Sequence, residues 1–265
     1  MRKMFNLFLV GAVVFSSMSS LALAKELSVE EIVEKANLAA YYSGDDGKSK
    51  VKMTIIDSQG RQRVREFQIL RLDIQNGGEQ KFYVYFNKPA DVRKMVFMVW
   101  KHLGKDDDRW MYMPALDLVR RISASDKRSS FVGSHFAYED VSGRGIDADT
   151  HQLISDEGSY YRIKSIPKVQ KGNEFSYYIV TVNKQNFIPV KAEYYNEDGK
   201  LIRVIEALEI LEIQGNPTVI KSQARDLERG GQTIMEFSDT KYDVGLTEEI
   251  YTERYLRRAP SEWVR

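Results

Sequence analysis

From Lys48 onward, apolar and polar residues alternate with a period of two, the spacing that sends one set of side chains to each face of a β-strand. Val51, Met53 and Ile55 alternate with Lys50, Lys52 and Thr54, and the run ends at the turn Ser58-Gln59-Gly60. Arg63, Arg65, Phe67, Ile69 and Arg71 then alternate with Val64, Glu66, Gln68, Leu70 and Leu72. After Asn76-Gly77-Gly78, Phe82, Val84 and Phe86 form one face of a third strand, with Tyr83 and Tyr85 on the other. Strands of this length joined by Gly-containing turns predict an antiparallel meander. Residues 94–100 are apolar on both faces, Met95, Phe97 and Val99 against Val96, Met98 and Trp100. Such a strand is either covered on both sides or lines a cavity with one of them. Two shorter strands follow at 109–113 and 118–122.

Ahead of the meander, Ser28-Val29-Glu30-Glu31 has the form of a capping box. Val29, Ile32, Val33, Ala36 and Ala40 then share one helical face, which predicts an amphipathic helix over 29–41 that covers part of a sheet. Residues 123–147 break the strand pattern. They are rich in Ser, Gly and Arg, with Phe131, Phe136 and Tyr138 interspersed. A loop of this length that carries aromatics points to function. Strand patterning returns between about 150 and 238, with segments at 160–166, 177–182, 190–195, 201–213, 218–226 and 232–238. Thr247-Glu248-Glu249-Ile250 opens a helix expected to run to about Arg257. No linker or shift of composition divides the chain, so one domain is expected over 25–265. The architecture expected is mainly β (α+β): about ten antiparallel strands in a single large sheet with a few helices. A sheet of that size must curl, which gives it a concave apolar face.

The N-terminus changes where this protein is expected to act. Met1-Arg2-Lys3 is basic, Phe5 to Val14 is apolar apart from Asn6, and Ala22-Leu23-Ala24 is an A-x-A site. These are the parts of a cleavable signal peptide over 1–24. The apolar stretch is too short and too Ser-rich to span roughly 30 Å of hydrocarbon. The mature chain would keep 241 residues, 37 basic against 38 acidic, a net charge of −1. That balance argues against nucleic acid as a partner. No later apolar run approaches the roughly 20 residues of a membrane helix, so a soluble exported protein is expected. The sequence has no cysteine, hence no disulfide, no thiolate metal site and no lipid-anchoring thiol.

Candidate chemistry is sparse. None of the three histidines, His102, His135 and His151, falls in a metal-ligand spacing. His135 with Glu139 and Asp140 is the best local cluster. Asp106-Asp107-Asp108 lacks the later Gly and Glu of a calcium loop. There is no nucleophile elbow, phosphate loop or nucleotide fingerprint. A nucleophile, a base and oxyanion donors cannot be assembled from these residues, so a non-enzyme without cofactor or metal is expected. The chain does carry 15 Tyr, 12 Phe and 9 Met. They suit an ordinary β-core, or an inner surface for a long flexible apolar ligand.

The central block favours the second reading. It runs Trp110-Met111-Tyr112-Met113-Pro114-Ala115-Leu116, then Val119-Arg120-Arg121-Ile122, then Ser129-Ser130-Phe131-Val132-Gly133-Ser134-His135-Phe136-Ala137-Tyr138-Glu139-Asp140. It resembles the W-x-Y-x-P-A-L, R-R-I and S-F-x-G-S-x-F-x-Y-E-D signature of the LolA-like outer-membrane lipoprotein-sorting family. Pro89-Ala90-Asp91 upstream, and Ile188-Pro189-Val190 with Tyr194-Tyr195 and Asp198-Gly199 downstream, are similar to flanking turns of that family. The resemblance implies a half-open β-barrel whose concave face is plugged by helices over a hydrophobic cavity. It implies a periplasmic carrier of lipoprotein acyl chains or phospholipid, with transient membrane contact and no chemistry. In this branch it also implies an inner-membrane RND-type transporter as partner.

With strand parity, the resemblance points to Met53, Ile55, Phe67, Ile69, Phe82, Val84, Phe86, Phe97 and Val99 as strand residues lining the cavity. Trp110, Tyr112, Phe131, Phe136 and Tyr138 join them from the signature. Arg120 and Arg121 are expected to pair with Glu139 or Asp140 and hold the loop. In the sorting chaperones one arginine holds the lid closed; it has no aligned counterpart here, and Arg65 and Arg71 are the candidates. Two other readings stand beside the carrier: an accessory subunit of an RND-type export system with no carrier role, and an enzyme using His135 or a carboxylate of the central loop.

Overall fold

The computed structural model describes residues 26–264. The expected signal peptide, 1–24, lies outside the described residues. Six strands, β1 (Asp46–Ile56), β2 (Gln62–Asp73), β3 (Gln80–Lys88), β4 (Val96–Lys101), β5 (Asp108–Met113) and β6 (Leu118–Ile122), form the first meander. Seven more, β7 (Asp149–Ser155), β8 (Tyr160–Pro167), β9 (Tyr177–Asn183), β10 (Pro189–Tyr195), β11 (Leu201–Ile213), β12 (Asn216–Asp226) and β13 (Gln232–Tyr242), form the second. β1 pairs antiparallel with β13, so the meanders fuse into one open curved sheet of 13 strands with β6 and β7 at its edges. The fold is mainly β with few helices, as the alternation implies. About ten strands were expected; the edge strand β7 is easily missed, because Leu153 and Ile154 are its only large apolar residues.

The parity of the first meander follows the sequence. Val51, Met53, Ile55, Phe67, Phe82, Val84, Phe86, Phe97 and Val99 share one core on the concave face. Leu70, Tyr83, Val96, Met98 and Trp110 belong to a second core on the convex face. Both faces of β2–β5 are thus covered, which accounts for the apolar doublet pattern at 94–100.

The convex cover is the C-terminal segment. Leu246, Ile250, Tyr251, Leu256 and Val264 pack there. The expected helix over 247–257 is broken into a 3-10 turn (Glu248–Tyr251) and α3 (Arg254–Arg257), and a further short helix, α4 (Ser261–Val264), follows. The reason is local. The Tyr251 carbonyl, which a continuous helix would offer to the Tyr255 amide, accepts instead from Trp100 Nε1 at 2.7 Å, and the Tyr255 carbonyl accepts from the Tyr83 hydroxyl at 2.7 Å. The buried Asp46 carboxylate starts the segment by accepting from the amides of Val244, Gly245 and Leu246 at 2.7–2.8 Å. Farther round the convex side, partly exposed ion pairs replace the apolar cover, such as Lys221–Glu236 at 3.3 Å and Arg162–Glu193 at 3.7 Å.

Two elements fill the concave side. The helix α1 (Val29–Tyr41) starts at the capping box read from the sequence, with Ser28 Oγ accepting from the Glu31 amide at 3.2 Å. Its buried Ile32 and Ala36 pack against Ile163 and Val182 of the second meander. The segment 123–148 joins the two sheet edges and includes α2 (Tyr138–Ser142). It crosses the concave face, delivering Phe131, Phe136, Tyr138 and Val141 into the concave core. The Phe131 ring lies 5.5 Å from Phe97 and 6.1 Å from both Phe67 and Phe86.

Candidate functional site

Between α1, the crossing segment and the concave face lies a cavity of about 470 Å³. That size falls within the roughly 300–1,000 Å³ typical of small-molecule sites. Phe67, Ile69 and Phe82 wall it from the first meander, and Ile205, Met235 and Phe237 from the second. Val33, Ala36 and Ala40 of α1 form its roof, with Phe131 and Phe136 at one side. Alternation builds the sheet walls; the i, i+3, i+7 spacing on α1 builds the roof.

The roof is tied down at its C-terminal end. A helix end leaves carbonyls without intrahelical donors and carries partial negative charge. The Arg71 guanidinium meets both needs, donating to the carbonyls of Tyr41, of Ser43 at 2.6 Å and of Gly44 at 2.8 Å. Gln80 Nε2 adds a bond to the Tyr41 carbonyl at 2.8 Å and one to Asp73 at 2.7 Å. Burial pushes the Asp73 carboxyl up to about 6, with Arg71 3.4 Å away pulling the other way. Of the two candidate lid arginines, Arg71 holds the helix. Arg65 lies instead near Asp91, Arg63 and Tyr138.

One side of the cavity is ionic. Arg128, Arg144, Glu139 and Asp140 all line it. Arg144 bonds Glu139 at 3.0 Å and Asp149 at 2.8 Å. Arg128 reaches Glu139 and Asp140 at 3.3 Å and Glu174 at 2.8 Å. Arg203 closes the network on Asp140. Burial alone would raise the Asp140 carboxyl, but Arg203 and Arg128 hold it below the usual carboxylate range. The Arg128 guanidinium also lies 5.0 Å from the Phe175 ring centre and 5.5 Å from that of Tyr194. Burial, with Asp140 next, pushes the Tyr194 hydroxyl up to about 12.

The residues expected from sequence divide into three groups. Phe67, Ile69, Phe82, Phe131 and Phe136 line the cavity. Met53, Ile55, Val84, Phe86, Phe97, Val99 and Tyr138 face the same side but are packed into the concave core beside it, where the crossing segment fills the space. Trp110 and Tyr112 are corrected: they point to the convex face, into the core under the C-terminal segment. The expected pairing of Arg120 and Arg121 with Glu139 or Asp140 is corrected too. Arg120 approaches Asp126 at 3.6 Å and Arg121 pairs with Asp108, both from the edge strand β6. The carboxylates belong to Arg128, Arg144 and Arg203 instead.

Sequence reasoning missed the whole second-meander wall and the roof. The signal was present: Ile205 and Ala207, and Met235 and Phe237, alternate as Phe67 and Ile69 do. The His135 cluster is not brought together as a reactive set. The His135 ring bonds the Thr233 hydroxyl at 2.8 Å, and the carboxylates are taken by arginines. Among the described residues, no group of three or more His, Cys, Asp or Glu could hold a metal ion. No helix among them is long and apolar enough to cross a membrane.

The open curved antiparallel sheet is shared with solved structures. A LolA superfamily protein from Nitrosomonas europaea shares it with a TM-score of 0.68, at 21% identity over 87% of this chain and 100% of its own. A Vibrio parahaemolyticus structure assigned as an outer membrane lipoprotein-sorting protein domain has a TM-score of 0.79, at 25% identity over 86% and 97%. A DUF1329 family protein from Desulfovibrio piger has a TM-score of 0.77, at 27% identity over 85% and 95%. A family model described as that of an uncharacterized protein matches residues 78–258. The chain belongs to this DUF1329-like family. No curated protein matches the sequence.

Proposed function

We propose that this protein is an exported carrier that shelters the acyl chains of a lipoprotein or phospholipid while they cross the aqueous gap between two membranes. The observation that carries this reading is the apolar cavity between α1 and the concave face. Binding needs no covalent step. Each buried methylene gains about 0.8 kcal/mol, so ten gain about 8 kcal/mol before the costs of ordering the chain. The Vibrio parahaemolyticus relative supports the same class of cargo through its assignment to lipoprotein sorting. A signal peptide over 1–24, release into the periplasm and a single carrier unit over 25–265 belong to the same proposal. We infer that lifting α1 would widen the cavity for loading, and Arg71 is the contact that resists it.

The test is extraction. The mature protein, purified from bacterial envelopes without detergent, is expected to yield acyl-bearing molecules in near-stoichiometric amount by mass spectrometry. A protein that is reproducibly empty, and that takes up nothing from phospholipid vesicles, refutes the carrier reading.

A further inference from the structure

A cavity for hydrocarbon alone has no use for buried charge, yet Arg128, Arg144, Glu139 and Asp140 line one side of this one while Phe67 and Phe82 line another. The cavity is therefore amphipathic, and its occupant should be amphipathic in the same sense. Two arginines in the wall suggest an anionic head at first sight. The pairing argues otherwise. Three guanidinium groups, of Arg128, Arg144 and Arg203, face four carboxylates, of Glu139, Asp140, Asp149 and Glu174. The Lys127 ammonium stands 3.9 Å from Glu139 and 3.7 Å from Asp106, so the cations of the network do not outnumber its carboxylates. Each of these cations is thus committed; of the other cationic residues lining the cavity, Arg71 stands 3.4 Å from Asp73, Lys191 2.9 Å from Glu193, and the Lys48 ammonium lies over the Trp263 ring, so a net negative head would enter beside buried carboxylates with no free guanidinium to neutralise it.

We infer that the cavity selects an amphiphile whose polar head carries no net charge, and discriminates against one with a net negative head. The inference rests on the carrier reading and deepens it. Two donors of this network, Arg128 Nε and Arg203 Nη1, are buried without a hydrogen-bond partner, and Arg128, which lines the cavity, can serve an ester or phosphodiester oxygen. Such a head is found on a zwitterionic phospholipid and on a glyceride-type lipid anchor. Both share the required chemistry: oxygen acceptors without net charge.

The mature protein is incubated with vesicles of equal phosphatidylethanolamine and phosphatidylglycerol content, reisolated, and its bound lipid identified by mass spectrometry. A parallel arm offers diacylglycerol in phosphatidylglycerol vesicles, to separate the two sources. Phosphatidylethanolamine or diacylglycerol should exceed phosphatidylglycerol about tenfold in the bound fraction, a difference of about 1.4 kcal/mol. Bound lipid in the input ratio, or enriched in phosphatidylglycerol, overturns the inference and leaves the carrier reading standing. No bound lipid in either arm overturns the carrier reading itself. Glu139→Gln removes the carboxylate shared by Arg128 and Arg144, and should raise the bound share of phosphatidylglycerol; an unchanged share in a folded variant counts against the charge-balance argument. Should that variant fail to fold, the wild-type ratio alone decides.

Discussion

Replacing Arg71 by Met tests whether one side chain governs access to the cavity. Methionine keeps much of the aliphatic packing and removes the donors to the carbonyls of Tyr41, Ser43 and Gly44. Hydrogen bonds to a charged group contribute about 1.5–3 kcal/mol each when both partners are buried. Here the acceptors sit at a half-buried helix end, where water replaces part of what is lost, so the three together should yield about 2–4 kcal/mol. Gln80 still holds the Tyr41 carbonyl, and Ile32 and Ala36 still pack on the sheet. The helix should therefore remain folded but lift more often. At about 1.4 kcal/mol per tenfold, its opening equilibrium rises about 30- to 700-fold. Native-state hydrogen exchange reads this directly, because local opening sets the exchange of α1 amides while global unfolding sets that of β3 and β4. The expected result is faster exchange across 29–44 with β3 and β4 unchanged, together with faster lipid uptake from vesicles. Unchanged exchange in α1 would refute the latch, and uniform acceleration everywhere would show that Arg71 supports the whole fold rather than the roof.

Other outcomes follow from the same geometry. Met235→Trp should reduce bound lipid several-fold with little loss of stability, since it fills the cavity; undiminished loading in the folded variant would place the ligand elsewhere. Phe97→Ala, in the packed core beside the cavity, should cost about 3–5 kcal/mol in denaturant unfolding, and a loss below 1 kcal/mol would contradict its placement. Asp73 titrates higher folded than unfolded, so the folded state binds its proton more tightly and this group's contribution to stability is lost as pH rises from about 4 through about 6. Asp73→Asn should abolish that decline, and a pH profile identical to wild type would exclude the assignment. Gly143→Ala should loosen both the crossing segment and α1, because its Cβ would sit 2.9 Å from the Tyr41 ring at a φ of +78°; unaltered thermal stability would refute that coupling.

How far the sequence reaches depends on what alternation can report. Where Lys50 and Lys52 separate Val51, Met53 and Ile55, the inner face is legible outright. Phe67 and Phe82 are found for the same reason. At Trp110 and Tyr112 the rule fails, because the C-terminal segment makes the outer face of β5 as apolar as the inner one. Apolarity then marks burial but not side. The crossing segment poses a different limit: its aromatics advertise a role, yet the space they occupy around Phe97 is visible only once both sheet edges are in place. The ionic network is beyond reach for the same cause. Arg203, Asp149 and Glu174 meet Arg128 and Asp140 only through the curl of the sheet, while the nearer-looking Arg120 and Arg121 turn to Asp126 and Asp108 on their own edge.

The C-terminal segment backs β2–β5 and leaves the convex side of the second meander to partly exposed ion pairs. The sheet is therefore mechanically lopsided: one half behaves as an anvil, packed on both faces, and the other as a leaf spring with packing on one face only. α1 packs on the spring through Ile32 and Ala36 and is pinned to the anvil at its C-terminal end by Arg71 and Gln80. An occupant of larger girth would be accommodated by flexing β8–β12 and swinging the N-terminal part of the helix outward about that pin, while the wall bearing Phe67 and Phe82 keeps its shape. On the proposed carrier function, one protein would then accept chains of differing length or branching without any change in the half of the cavity walled by Phe67 and Phe82.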